Sequence, residues 1–135
     1  MDSVSVAKRS EIMGRVRSRD THPEMVVRKL VYSLGYRYRL HLTNLPGKPD
    51  IVFGSRKKVL FVNGCFWHRH KGCALARLPK SRQDFWATKL ESNRLRDIRN
   101  ERELRAAGWS VMTIWECELR NIAQLAARLR EFLDA

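Results

Sequence analysis

Two cysteines and two histidines fall within NGCFWHRHKGC, residues 63–73, around a Phe66–Trp67 pair. Thiolate sulfur and imidazole nitrogen are the ligands that a structural zinc prefers, in a closed tetrahedron of four. Cys65, His70 and Cys73 supply three from one compact loop, and Cys117, at the end of the apolar run WSVMTIWEC, is placed to be the fourth. The competing reading is three idle or buried thiols beside a solvated histidine. A Cys3His zinc site is the more economical one, because the loop has few apolar residues to make it rigid and is edged by Gly64 and Gly72. With four ligands available, His68 is assigned elsewhere.

Asp50 opens another chemical question. It follows LPGKP and stands at the head of the apolar run DIVF. A carboxylate there is costly unless it is paired or metal-bound. Magnesium takes one or two carboxylates with other hard oxygens. Asp50 could therefore hold that ion, with the neighbouring run VLFVNG offering backbone carbonyls. It could also cap the strand or pair with Lys48.

These residues need elements to hold them. THPEMVVRKLVYSLG reads as a helix, with Thr21 as N-cap, Pro23 in the first turn, Glu24 closing a capping box and Gly35 at the end. Val26, Val27, Leu30, Val31 and Leu34 make its apolar face. YRYRLH alternates as a half-exposed strand does, and DIVF and VLFV read as two buried strands joined by the basic turn GSRKK. A long helix follows from about 81 to 107, then the strand WSVMTIWEC and the closing helix LRNIAQLAARLREFL. Helix, three strands, helix, strand, helix predicts an α/β fold, a three-layer-like sandwich with a central mixed sheet flanked by helices.

Composition narrows the partners. The chain has 135 residues, suited to one domain over 1–135, with a basic N-terminal arm at about 1–20. Lys and Arg number 27 against 14 Asp and Glu, a formal net charge of +13. That excess points to a polyanion, nucleic acid being the commonest, against the blander reading of scattered solvated charge. No apolar run approaches a membrane span or a signal peptide, so a cytoplasmic protein without membrane attachment is expected. An odd count of three cysteines argues for thiols or metal ligands over disulfides.

A strand opening on PD and a hairpin into a second apolar strand resemble the PD-(D/E)XK nuclease superfamily, although FVNGCFWH lacks the acid-x-Lys of that pattern. That absence, with LPGKPDIVF, GCFWHRHKGC, FWATKLESNRLRD and GWSVMTIWEC, resembles the Vsr family of very short patch repair DNA mismatch endonucleases, from about Lys8 to Glu118. The resemblance implies a restriction-endonuclease-like fold with a structural zinc. It implies a monomer that nicks duplex DNA 5′ to the thymine of a T·G mismatch left by 5-methylcytosine deamination. It also implies nucleoid DNA of a bacterium as the place of action and repair proteins as partners.

By the same resemblance Asp50 binds the essential magnesium with the main-chain carbonyl of Val62, which stands where the best-known members carry threonine. His68 assists water or phosphate, Glu24 helps hold metal-bound water, and Cys65, His70, Cys73 and Cys117 bind zinc. Asp97 matches an aspartate that pairs with a histidine near the active site. Asn63 occupies that histidine's position, so the pair is expected to be altered. Glu24 also has a sufficient structural role in its capping box. Phe66 and Trp67 would wedge between bases where pairing is weak, with Met13 entering from the other groove, or they would simply be core. Arg9, Arg15, Arg17, Arg19, Lys57 and Lys58 are expected on phosphates, the two lysines equally as a solvated turn. The other readings are a related nicking or restriction nuclease with another DNA target, and a zinc-stabilised DNA-binding protein without catalysis.

Overall fold

The computed structural model describes residues 20–68 and 70–135. The basic arm, with Arg9, Met13, Arg15, Arg17 and Arg19, lies outside the described residues.

Helix α1 spans His22–Ser33 and starts where its capping box puts it. Thr21 Oγ1 accepts the Glu24 N–H, and Glu24 Oε2 accepts the Thr21 N–H, which satisfies two otherwise orphaned donors. Gly35, at φ 97, turns the chain out of the helix. Three strands follow: β1 (Ile51–Phe53), β2 (Lys58–Asn63) and β3 (Ser110–Trp115), with helix α2 (Gln83–Ala106) between β2 and β3 and helix α3 (Ile122–Asp134) last.

The sheet order is β1-β2-β3, with β1 antiparallel and β3 parallel to the central β2. A parallel pair requires a long crossover, and α2 provides it. Period-two alternation sends successive side chains to opposite faces. Leu60, Val62, Met112 and Ile114 meet Val27 and Val31 of α1 and Leu125, Leu129 and Leu133 of α3. On the other face Val52, Val59 and Val111 pack with Leu104 of α2. Helices thus cover both faces of a mixed three-stranded sheet.

Two expectations need correction. YRYRLH is not a strand: its pairing is one isolated bridge, Arg39 to Val52. Tyr36 and Tyr38 instead stand edge-on to Phe53, and His41 takes a left-handed φ of 59 that ends any extension. Lys58 is neither a phosphate contact nor a solvated turn residue. It is 7% exposed, and its ammonium lies within 3.3 Å of the carbonyls of Phe132, Leu133 and Ala135. Arg56 adds a hydrogen bond to the Leu133 carbonyl at 2.8 Å. The last turn of α3 has no basic residue of its own, so these two cations from the β1–β2 turn and β2 satisfy its carbonyls and complement its dipole. Lys57 lies over the Trp109 ring.

Replacing Lys58 by Met keeps the stem and removes the ammonium. Urea denaturation should show a loss of about 1–3 kcal/mol, the usual penalty for buried polar groups left without a partner.

Candidate active site and metal centre

The parallel register continues to Asn63 opposite Trp115. Two residues beyond that last pair on each strand stand Cys65 and Cys117, so the pairing itself brings the two thiols together. The loop after β2 then folds back, the His70 N–H donating to the Cys65 carbonyl at 2.9 Å and the Cys73 N–H to the His70 carbonyl at 3.3 Å. Ligand atoms of Cys65, His70, Cys73 and Cys117 all lie within 4.8 Å of one another.

His70 Nδ1 is 3.5 Å from both the Cys65 and Cys117 sulfurs. A tetrahedral zinc with Zn–S of about 2.3 Å and Zn–N of about 2.0–2.1 Å requires N···S edges of about 3.5 Å. The donor set therefore fits that metal in type and spacing. The His70 ring stacks on Trp115, 4.2 Å between centroids and 7° from parallel, and Glu116 Oε1 accepts the Cys65 N–H at 3.1 Å. Burial pushes the Cys65 thiol up to about 12, so a bound cation is what would hold it as the thiolate.

Asp50 lies just ahead of β1. Its N–H donates to the Leu60 carbonyl at 3.0 Å, and its Oδ2 accepts the Val62 N–H at 2.7 Å. It does not pair with Lys48. Burial, reinforced by the Glu24 carboxylate it touches, pushes its carboxyl up to about 8 against the opposing pull of the Val62 N–H and Arg28. Two facing carboxylates suit a hard dication.

Val62 contributes through its backbone. The N–H and C=O of one strand residue share an edge, so the Val62 carbonyl faces the same side as the N–H that Asp50 accepts. Asp50, Glu24 and the Val62 carbonyl thus form an oxygen-rich corner of the kind magnesium takes.

On the other side of the β2 end, His68 Nδ1–H donates to Asp97 Oδ2 at 2.5 Å. Asp97 therefore pairs with His68, which reaches it from the loop, and not with the residue at position 63. Both line a cleft of about 390 Å³ with Asn63, Asn100, Thr113 and Trp115. Asn93, one turn before Asp97, donates to the Trp67 carbonyl at 3.2 Å and fixes the segment that carries His68. Phe66 and Trp67 are half-buried against the nearly buried Trp86, with centroids 5.2–6.0 Å apart in edge-on contacts.

The structure brings Asp50 to Glu24 at the Val62 edge of β2 and His68 to Asp97 in the cleft beside it, and it gathers Cys65, His70, Cys73 and Cys117 into one cluster. Arg28, Glu116 and the stacking role of Trp115 were not foreseen. Arg28 lies on the buried side of α1 with Val27 and Val31, outside the face expected to be apolar, and the other two sit beside Cys117.

Two facing carboxylates, Glu24 buried and Asp50 half-buried, and a histidine oriented by Asp97 thus stand at the end of a mixed sheet. The homing endonuclease I-Bth0305I catalytic domain has the same fold at a TM-score of 0.58, with 21% identity over 84% of this chain and 94% of that one. The family model described as DNA mismatch endonuclease Vsr matches residues 1–75. Type II nicking enzyme V.XorIIP of Xanthomonas oryzae is 55% identical over 98% of this chain and 97% of its own. V.NmeAIP of Neisseria meningitidis is 44% identical over 99% and 98%, and DNA mismatch endonuclease Vsr of Escherichia coli 39% over 88% and 76%. The chain belongs to the Vsr family of DNA endonucleases.

Two outcomes follow from the geometry. Metal analysis of protein purified without chelator should find about one zinc per chain, falling sharply in Cys117→Ser. In zinc-loaded protein without magnesium, Asp50 binds its proton more tightly in the fold, at about 8, than its ordinary 3.8. The fold then loses stability as pH rises from about 4 to about 8. Asp50→Asn should match the wild-type melting temperature below about pH 4 and exceed it increasingly up to about pH 8, as calorimetry across that range would show.

Proposed function

We propose that this protein is a nicking endonuclease that hydrolyses one phosphodiester in duplex DNA with magnesium, its active loop held by a structural zinc. The observation that carries this reading is the pair of couples at one strand end, Asp50–Glu24 on one side and His68–Asp97 on the other. A net charge of +13 supplies the attraction to a phosphate backbone.

Asp50, the Glu24 carboxylate and the Val62 carbonyl would hold the magnesium. When bound, that ion neutralises the scissile phosphate and lowers the pKa of water. Asp97 fixes the His68 ring by accepting from Nδ1–H, which leaves Nε2 to take a proton or to hydrogen-bond a phosphoryl oxygen. Cys65 and His70 bracket His68 in sequence, so zinc at those residues would hold it in register with Asp50.

The substrate feature is the finer part of the proposal. The two nicking enzymes exceed Vsr of Escherichia coli in identity, 55% and 44% against 39%. That favours a type II nicking enzyme with its own DNA target over general repair. A T·G mismatch within that target remains the reading that the family's description supports, and Phe66 and Trp67 are suited to it. An aromatic pair on the catalytic loop would enter a weakly paired step at lower unstacking cost than a fully paired one.

Nicking assays on T·G, other mismatches and paired duplexes in varied sequence contexts test these parts separately. Asp50→Ala should abolish magnesium-dependent nicking, and His68→Ala should slow it by about 10²–10⁴-fold. Equal cutting of paired and T·G duplexes would sink the mismatch part alone. Undiminished cutting by Asp50→Ala would sink the active-site assignment.

A further inference from the structure

We infer that Arg28 is a positioning residue for the magnesium site, tying Glu24 to Asp20 and so fixing the second carboxylate against Asp50; the inference rests on the metal reading above. Arg28 stands one turn after Glu24 on α1, on the side buried with Val27 and Val31, and is 8% exposed. Its Nη2 donates to Asp20 Oδ1 at 2.7 Å and to Glu24 Oε2 at 3.4 Å, and Nη1 lies 3.2 Å from the Met25 sulfur. Its Nε–H is buried without a hydrogen-bond partner among the described residues.

A guanidinium buried with one donor unmet is a poor way to gain stability. A positive charge beside a dication site also opposes the ion by simple electrostatics. What Arg28 supplies is geometry. Glu24 Oε2 receives both the Thr21 N–H at 3.2 Å and Arg28 Nη2. With Oε2 committed to two donors, Oε1 is the oxygen left for the cation, and the carboxylate cannot rotate freely away from Asp50. The planar fork matters, because one guanidinium nitrogen reaches both Asp20 and Glu24, whereas a lysine ammonium is a point charge on a flexible stem.

Asp20 gives the arrangement a second end. It holds a left-handed φ of 59 and follows directly on the basic arm. His41 Nε2 lies 3.5 Å from the same Asp20 Oδ1 that Arg28 uses, so Asp20 is the point where chain entry, His41 and the guanidinium meet. Through Arg28, the placement of Asp20 reaches a metal ligand.

The test is calorimetric titration of manganese or magnesium into the zinc-loaded full chain without DNA, read as affinity rather than turnover. Wild type should bind and Asp50→Asn should not. Arg28→Met should weaken binding by about 10–100-fold, as loss of groups that orient ligands does, and Arg28→Lys should recover only part of it. Asp20 is 41% exposed at its side chain, so Asp20→Asn can be expected to fold. It should weaken binding by a smaller factor in the wild-type background and by none in Arg28→Met. Unchanged or tighter binding in folded Arg28→Met overturns the inference, and so does an Asp20→Asn effect that persists without Arg28. If Arg28→Met does not fold, unchanged affinity in Asp20→Asn overturns it. No binding by wild type, or equal binding by Asp50→Asn, instead overturns the metal reading itself.

Discussion

The site depends on the parallel pairing of β2 with β3. Parallel neighbours run the same way, so their ends coincide, and the register carries Asn63 level with Trp115. Everything chemical lies within a few residues of that level. Cys65 and Cys117 leave the two strands side by side, and the outer edge of β2 at Val62 meets Asp50. A slip of one residue would turn Val62 and Ile114 out of the core, so burial on the α1 and α3 face fixes the chemistry as firmly as the fold. His68 is interleaved with two members of the Cys3His cluster: Cys65 and His70 flank it on one loop, and a metal holding those two would leave it little freedom.

Charge acts at two ranges. Over tens of ångströms the excess of 27 basic over 14 acidic residues draws the chain to DNA, within the limit set by salt screening. At the strand end the sign reverses, since Asp50 and Glu24 would repel the very phosphate that must approach. Burial sharpens that conflict and is the main reason Asp50 holds its proton up to about 8. The magnesium proposed above would reconcile attraction at long range with acids at short range. The same low-dielectric setting makes orientation matter, which gives weight to the two donors on Glu24 Oε2.

Ligand types and element types were legible in the sequence because each is a local property. Thiol and imidazole spacing marked the Cys3His cluster, and capping residues marked α1. Helical period marked α2 as well, whose Trp86, Leu90 and Leu104 are buried. What escaped was long-range pairing. YRYRLH alternates as a strand does, but pairing requires a neighbour over several residues, and the chain offers one bridge before His41 turns away. Lys58 read as a turn lysine because nothing local says that the carbonyls of α3, more than seventy residues later in the chain, end beside it. Arg28 was passed over for another reason: its partners Asp20, Glu24 and Met25 are near in sequence, but an arginine on a helix reads by default as a solvated charge.

Asn63 shows how such non-local placement redistributes a role. The family resemblance puts a histidine at that position to meet Asp97, and its replacement by a group that does not titrate would seem to remove the couple. The loop instead delivers His68 to the same carboxylate, with Asn93 holding the backbone at Trp67. Asn63 stays 7% exposed on the cleft wall, able to donate or accept a hydrogen bond but not to carry a proton. Of the two, only His68 can handle the proton in that cleft, and Asp97 decides which nitrogen does so. A carboxylate only accepts, so Nδ1 keeps its hydrogen and Nε2 is the nitrogen left free for a substrate. On the function proposed above, the substitution would concentrate acid–base work on a single imidazole whose tautomer is set from α2 and whose position is set by the loop that the Cys3His cluster closes.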